Sequence, residues 1–327
     1  MKKLKGALAV LAVLGLAACG SGSPSGGASE GSAGSPAAAM EQIEVGVIPI
    51  VDVAPIYLGV KEGIFEKEGL DVTLTLAQGG AAIVPAITSG QMDFGFSNIT
   101  SMIVARSKGL PLKMVAPGGS STGDTKKDFA AVMTKPDSGI KEIKDLVGKR
   151  VAVNTLNNIS DSTISEAVKV AGGDHTKIDF VEMAFPDMAA QLDAGNVDAM
   201  AAVEPFVTIS GADGNVPVFS NYAEPVDNLT VAVYFTSEQY IKDNPETVEK
   251  FTRAMKESQK FADENPEKAK AVLPDYTTLK PEVIEELTMP RFYTEVNAQS
   301  VEDVAAISLD RGLIEKVPDL TALLPQE

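Results

Sequence analysis

Apolar positions recur along this chain in two alternating rhythms. Ile43, Val45 and Val47 alternate with polar or small residues and run into Ile48-Pro49, which predicts a strand. Asp52-Val53-Ala54-Pro55 then opens a helix, with a proline near its first turn, and Ile56, Gly59, Val60 and Ile64 continue it at helical spacing. The alternation repeats. Strands are predicted at Leu70–Leu76, Asp93–Phe96 and Leu112–Ala116, with helices at Ala81–Thr88 and from Ser97-Asn98 to about Lys108 between them. A turn-rich stretch, 117–128, interrupts the pattern. It restarts with strands at Phe129–Thr134, Arg150–Val153, Ile178–Met183 and Ala199–Val203, and helices at about Asp161–Ala171 and Met188–Ala194. One more strong strand, Leu229–Phe235, precedes helical sequence in which Asn244-Pro245 and Asn265-Pro266 are start signals. Val248, Phe251, Met255 and Phe261 give the first of these helices an apolar core-facing stripe.

Strand, polar turn, helix, repeated, defines an α/β protein built of mostly parallel sheets. The restart after residue 128 predicts a second sheet-based lobe, and the strand near 229–235 predicts a return to the first. The expected organisation is 42–122 for the first part of lobe I, 123–226 for lobe II and 227–327 for the second part of lobe I. Two crossings, near 117–128 and 221–230, would form a hinge.

The first forty residues have another character. Lys2, Lys3 and Lys5 precede a short apolar run, Gly6–Leu16, too short to span a bilayer as a helix. This predicts a signal peptide over 1–18. Leu16-Ala17-Ala18-Cys19 resembles a bacterial lipobox, which implies lipidation at Cys19. Residues 19–41 are Gly, Ser, Ala and Pro for the most part and form a tether, since such a segment has too little apolar surface to fold. The expected location is the outer face of the cytoplasmic membrane, with contact to the membrane through the lipid alone.

Composition narrows the chemistry. The net charge is −17, from 28 basic and 45 acidic residues, so a nucleic-acid partner is not expected. One Cys and one His cannot assemble a zinc site of the usual ligands, and a lone Cys closes no internal disulfide. Neither a metal nor a cofactor is expected, and no catalytic residue is assigned. Gly119-Ser120-Ser121-Thr122-Gly123 has the G-x-S-x-G spacing of a hydrolase elbow, with His175 the one available base. The polar run Asp124–Asp128 follows it where an apolar helix should, so a serine hydrolase using Ser121 is the minor alternative.

Several segments carry a resemblance. Val47-Ile48-Pro49 and Ala54-Pro55-Ile56-Tyr57-Leu58-Gly59-Val60-Lys61-Glu62-Gly63-Ile64-Phe65 are similar to the opening of bacterial ABC-importer solute-binding proteins for sulfonates, taurine, nitrate and thiamine-pyrimidine precursors. Ser89-Gly90-Gln91-Met92-Asp93-Phe94-Gly95, Gly148–Val153, Ala194-Gly195-Asn196-Val197-Asp198-Ala199 and Glu204-Pro205 match in order and spacing. The resemblance implies a two-lobed type II periplasmic-binding fold that holds a small molecule between its lobes. It also implies a monomer that delivers this solute to a permease with its ATPase. A surface receptor feeding a sensor has the same sequence features. The family's fold is shared by pyrimidine-synthesising proteins that consume their own His, but those need a set of His and Cys residues, and this chain has one of each.

In open parallel sheets, ligands bind beyond the carboxyl ends of the strands, where helix N-termini present free N–H groups. That rule selects Asp52, Gly79, Gly80, Ser97 and Asn98 in lobe I, and Asn154, Thr155, Asn157, Asp187, Met188 and Glu204 in lobe II. Ser97, Asn98 and Asp187 also read as plain N-caps. Tyr57, Phe96, Met188 and Phe206 are candidates for an apolar wall, although Tyr57 and Phe96 fit the core better. These turns contain Asp52, Asp187 and Glu204 but no Lys or Arg. The expected ligand therefore donates hydrogen bonds, from an amine, amidine or aminopyrimidine edge, and nitrate is disfavoured.

Overall fold

A computed structural model describes residues 40–325. The expected signal peptide, Cys19 and most of the expected tether lie outside the described residues. No helix among the described residues is long and apolar enough to cross a membrane.

The elements in chain order are β1 (Glu41–Val47), α1 (Ala54–Lys61), α2 (Ile64–Lys67), β2 (Leu70–Leu76), α3 (Gly80–Thr88), β3 (Phe94–Asn98), α4 (Ile99–Ser107), β4 (Leu112–Pro117), β5 (Ala130–Thr134), β6 (Arg150–Val153), α5 (Ile159–Val170), β7 (Asp179–Glu182), α6 (Phe185–Asp193), β8 (Ala199–Val203), α7 (Phe206–Ala212), β9 (Val216–Phe219) and β10 (Ala232–Ser237). They are followed by α8 (Glu238–Asp243), α9 (Pro245–Glu264), α10 (Pro266–Ala271), α11 (Pro281–Glu286), α12 (Ala298–Asp310) and α13 (Leu320–Leu323).

The strands form two five-stranded sheets, ordered β2-β1-β3-β10-β4 and β7-β6-β8-β5-β9. The α/β, two-lobed arrangement expected from the alternating rhythm is the one observed. Within each sheet the strands joined by helices run parallel: β1 beside β2 and β3, β6 beside β7 and β8. The antiparallel members are β10 and β5, the strands by which the chain enters each sheet after crossing from the other. A crossing strand arrives from the opposite end, so it pairs antiparallel without a helical return. The sequence did not reveal β9. Its Pro217 removes a ladder donor, which a sheet tolerates at an edge, and β9 is an edge strand.

Strands covered on both faces should read as near-continuous apolar runs, and β3, β5 and β8 do. Beneath the first sheet, Phe94 stacks on Phe251 of α9 at 3.8 Å between ring centres. The apolar cluster around this pair continues into the second sheet through Met133, Ala152, Phe185 and Met188, while the outer face of that sheet has a separate cluster around Val151 and Ile164.

Two connections, 118–129 and 220–231, join the sheets. They pair with each other: Gly118 N–H donates to Ala232 O at 2.8 Å, Val231 N–H to Gly119 O at 3.0 Å and Ser121 N–H to Leu229 O at 2.9 Å. Arg291 adds itself to this ribbon, exchanging backbone hydrogen bonds with Ser120 at 3.0 Å in each direction. The chain after α11 thus laces the crossing. Thr288 N–H reaches Glu204 of the second half, and α12 packs on both α4 and α5.

Candidate functional site

The carboxyl ends of the parallel strands face each other across a crevice between the two sheets. Its inner chamber is bounded by Ile48, Ile50, Asp52, Phe96 and Asn98 from the first half and Asn154, Asn158, Ile159, Phe185 and Val203 from the second. Tyr222 and Val231 of the second crossing and Ala232 at the start of β10 close the back. Among the described residues, no Lys or Arg lines it.

Asp52 sits in the short 3-10 turn before α1 and is 1% exposed. Its Oδ2 has no hydrogen-bond partner among the described residues. Burial pushes its pKa from 3.8 up to about 7; its own backbone N–H works against that rise, and the charge of Asp128 adds to it. Gly119 of the hinge makes room for this carboxylate, because a Cβ there would lie 2.6 Å from Asp52 Oδ1. Asp128 itself is buried but fully engaged. It accepts from Ser121 Oγ and from the N–H groups of Thr122 and Phe129, each at 2.9 Å. Burial raises its pKa and those donors oppose the rise.

The other acidic residues named from the turns have different surroundings. Glu204 is 1% exposed, and protein donors occupy its oxygens: Thr208 N–H at 3.0 Å, Thr208 Oγ1 at 2.8 Å and Thr288 N–H at 3.2 Å. Burial raises its pKa and the Thr208 and Thr288 donors lower it. Asp187 is exposed in the first turn of α6 and does not reach the chamber.

Of the remaining candidates, Asn98 and Asn154 line the chamber. Asn98 Oδ1 caps α4 by accepting from Ser101 N–H at 2.9 Å, and Asn154 Oδ1 accepts from Asn158 Nδ2 at 3.0 Å. Asn158 is the N-cap of α5, in a capping box with Asp161. Gly79 and Thr155 meet across the mouth, where a Cβ on Gly79 would lie 2.9 Å from Thr155 Oγ1. Gly80 packs on β3: a Cβ there would come within 2.8 Å of the Ser97 Cα. Ser97 is buried, and its hydroxyl has no partner among the described residues. Asn157 is exposed at φ 56°, and Met188 is fully buried in the core. Thus Asp52, Asn98 and Asn154 converge on the chamber, Gly79 and Thr155 on its mouth, and Asn157, Asp187 and Met188 face elsewhere.

Tyr222 and Phe185 line the chamber and escaped the sequence reading. Tyr222 lies in the hinge, outside any strand–helix turn; its hydroxyl shares a 2.8 Å hydrogen bond with Ser160 Oγ. Phe185 begins α6 and stacks on Phe206 at 5.6 Å between ring centres. The Phe185-Pro186 pair at a helix start was the available signal. Tyr57 stacks on Tyr276 at 4.1 Å and does not line the chamber. Ser121 donates to Asp128, and His175 follows the far end of α5 from Asn158, so the elbow spacing assembles no Ser–His pair. Among the described residues no cluster of His, Cys, Asp and Glu could hold a metal ion.

Two sheets, a laced double crossing and a crevice at the strand ends define a two-lobed α/β fold. Residues 50–269 match the model described as NMT1/THI5 like, and the chain belongs to that family. It is 24% identical over 221 residues to the formylaminopyrimidine-binding protein of Halalkalibacterium halodurans, which covers 67% of this chain and 64% of that protein. The chain therefore spans slightly under two-thirds of that relative's length. It is also 24% identical over 242 residues to the 4-amino-5-hydroxymethyl-2-methylpyrimidine phosphate synthase of Aspergillus parasiticus, covering 70% of this chain and 67% of that one. Among solved structures, the periplasmic aliphatic sulphonate binding protein SsuA of Escherichia coli superposes with a TM-score of 0.71 at 20% identity, over 87% of this chain and 97% of that one.

Proposed function

We propose that this chain captures a small organic solute between its two halves and passes it to the permease of an ABC importer on the outer side of the cytoplasmic membrane. The observation that carries the reading is the buried carboxylate of Asp52, whose Oδ2 has no partner among the described residues, in the lining of a crevice that both halves wall. A buried acid without a partner is costly, and a bound donor removes that cost. The solute accordingly presents N–H groups, as an amine, amidine or aminopyrimidine does. The formylaminopyrimidine-binding relative agrees with this chemistry; the sulphonate-binding structure supports the fold and the mode of capture. Asn98, Asn154 and Tyr222 are the companions of Asp52 in this reading. Cys19 is the proposed lipid anchor and 19–41 the tether, with the folded part acting as a monomer.

The protein acts by binding and not by turnover. A synthase that consumes its own His needs that residue at the ligand, whereas His175 lies beyond the far end of α5. A thermal-shift screen of aminopyrimidines, amidines, taurine, alkanesulfonates and nitrate tests the proposal. An N–H-donating compound should raise the melting temperature with dose in the native chain and much less in Asp52→Asn. Stabilisation by nitrate or sulfonate alone, unchanged in Asp52→Asn, would overturn it.

A further inference from the structure

The inner chamber is small, about 30 Å³, and it is not the whole crevice. A second chamber of about 330 Å³ lies against it, and the two share Ile48, Ile50 and Phe185 as common walls. The outer chamber is chemically different. Its lining contains no charged side chain, and Gln78 is its one polar side chain. Leu76 and Ala77 come from the carboxyl end of β2, and the stacked pair Phe185 and Phe206 from the helix starts opposite. Leu76 is 51% exposed, a half-uncovered apolar side chain in the lining of the crevice. An engineered apolar cavity of ~150 Å³ accommodates benzene, so the outer chamber has room for a ring or a short alkyl chain.

We infer that the solute is bipartite: an N–H-bearing head at Asp52 in the inner chamber, continued by a hydrocarbon or aromatic tail against Leu76, Phe185 and Phe206 in the outer one. This rests on the proposed binding function and deepens it by naming a second subsite. Adjacency of the two chambers, which share Ile48, Ile50 and Phe185, selects the occupant. A tail attached to the head passes the shared Phe185 wall without leaving the crevice, and both halves contact it, so the tail rewards closure as the head does. The outer chamber adds affinity through area removed from water, and it discriminates by size because it offers a tail almost no polar partner.

A homologous series separates the two subsites. Isothermal titration of the whole chain with acetamidine, butanamidine, hexanamidine and benzamidine keeps the head constant and lengthens the tail. Each added methylene that is buried should tighten binding two- to fourfold, giving at least tenfold between acetamidine and hexanamidine. Leu76→Ser, at an exposed position that leaves folding intact, should reduce that gain to less than threefold while acetamidine binds as before. Phe206→Ala should do the same, with a melting curve to verify its fold. If only the longer amidines bind and Leu76→Ser abolishes it, the inference holds. A flat series with acetamidine still bound in an Asp52-dependent manner would overturn the tail subsite and leave the head in place. If no amidine binds, the donor-head reading fails and the second subsite falls with it.

Discussion

Asp52 joins a sequence-level choice to a measurable consequence. Its carboxyl ionises near 3.8 in the unfolded chain and near 7 when folded, with Asp128, Tyr222, Tyr234 and Tyr276 around it. Between those values the native state holds a proton that the unfolded state has released. This contribution to stability is therefore complete below about pH 4 and is lost as pH rises through 7, on the order of 4 kcal/mol in all. Asp52→Asn should make the ligand-free protein more stable at pH 8 and flatten this stretch of the profile, read from urea midpoints. A donating ligand favours the ionised acid. Binding should accordingly strengthen as pH rises towards 7, and Asp52→Asn should weaken it about 10- to 100-fold and remove the pH dependence. Equal affinity of the variant, with its pH slope intact, would separate Asp52 from the ligand. Glu204→Gln should behave differently. Thr208 and Thr288 already fill its oxygens, so exchanging one for an amide costs about 1–3 kcal/mol of stability with little direct effect on the ligand. Asp52 and Glu204 look alike in the sequence because both sit in strand–helix turns. What separates them is the donor set of Glu204: Thr208, four residues on, reaches both oxygens, and Thr288, 84 residues away, adds a third donor that no local pattern announces.

The elements were legible where periodicity was long and unlegible where it was short or imposed from afar. The runs that became β1, β2, β8 and β10 carry their own alternation or apolar continuity. β9 is four residues with a proline, and pairing with β5 creates it. Helix α5 begins at Ile159, earlier than the expected Asp161, because Asn158 and Asp161 form a reciprocal cap. A second support came from a distance. Arg311, at the end of α12, places Nη1 3.0 Å from Asp161 Oδ1 and 2.9 Å from Ser162 Oγ. The pair is 11% and 2% exposed, so it is little screened by solvent. Arg311→Ala should cost about 1–3 kcal/mol, since Asp161 keeps the N–H groups of Asn157 and Asn158 but loses its countercharge. Lys61→Ala, which breaks the exposed pair with Asp275, should cost under about 1 kcal/mol. Denaturant midpoints of the two variants compare them directly. Because α5 carries Asn158 and Ile159 into the chamber, Arg311→Ala should also weaken ligand binding, whereas Lys61→Ala should not.

For the molecule as a whole, the crossing strands decide what kind of motion is available. The two sheets are internally hydrogen-bonded and separately packed on their outer faces, while the connections between them pair in a short ribbon. Rotation about that ribbon changes the crevice and leaves each sheet intact. At the mouth the closing surfaces are backbone against side chain: a Cβ on Gly79 would lie 2.9 Å from Thr155 Oγ1, too close to be accommodated without a shift. Gly79 has φ −174°, an extended backbone that any residue adopts, so a larger side chain adds bulk there without local strain. Gly79→Leu should therefore hold the halves apart while leaving the melting temperature of the ligand-free protein within about 2 °C of the native chain, a change corresponding to under ~1 kcal/mol. Small-angle scattering should show the native chain contracting when a stabilising ligand is added and the Gly79→Leu chain keeping its ligand-free radius. Affinity should fall in parallel, because contacts made by both halves exist only after closure, and a state that cannot be reached contributes nothing to binding. Thr155→Gly in the Gly79→Leu background vacates the opposing side chain and should restore part of both effects. Full contraction and native affinity in Gly79→Leu alone would mean that the mouth does not close at Gly79 and Thr155, and that the ligand is enclosed by some other movement of the two sheets.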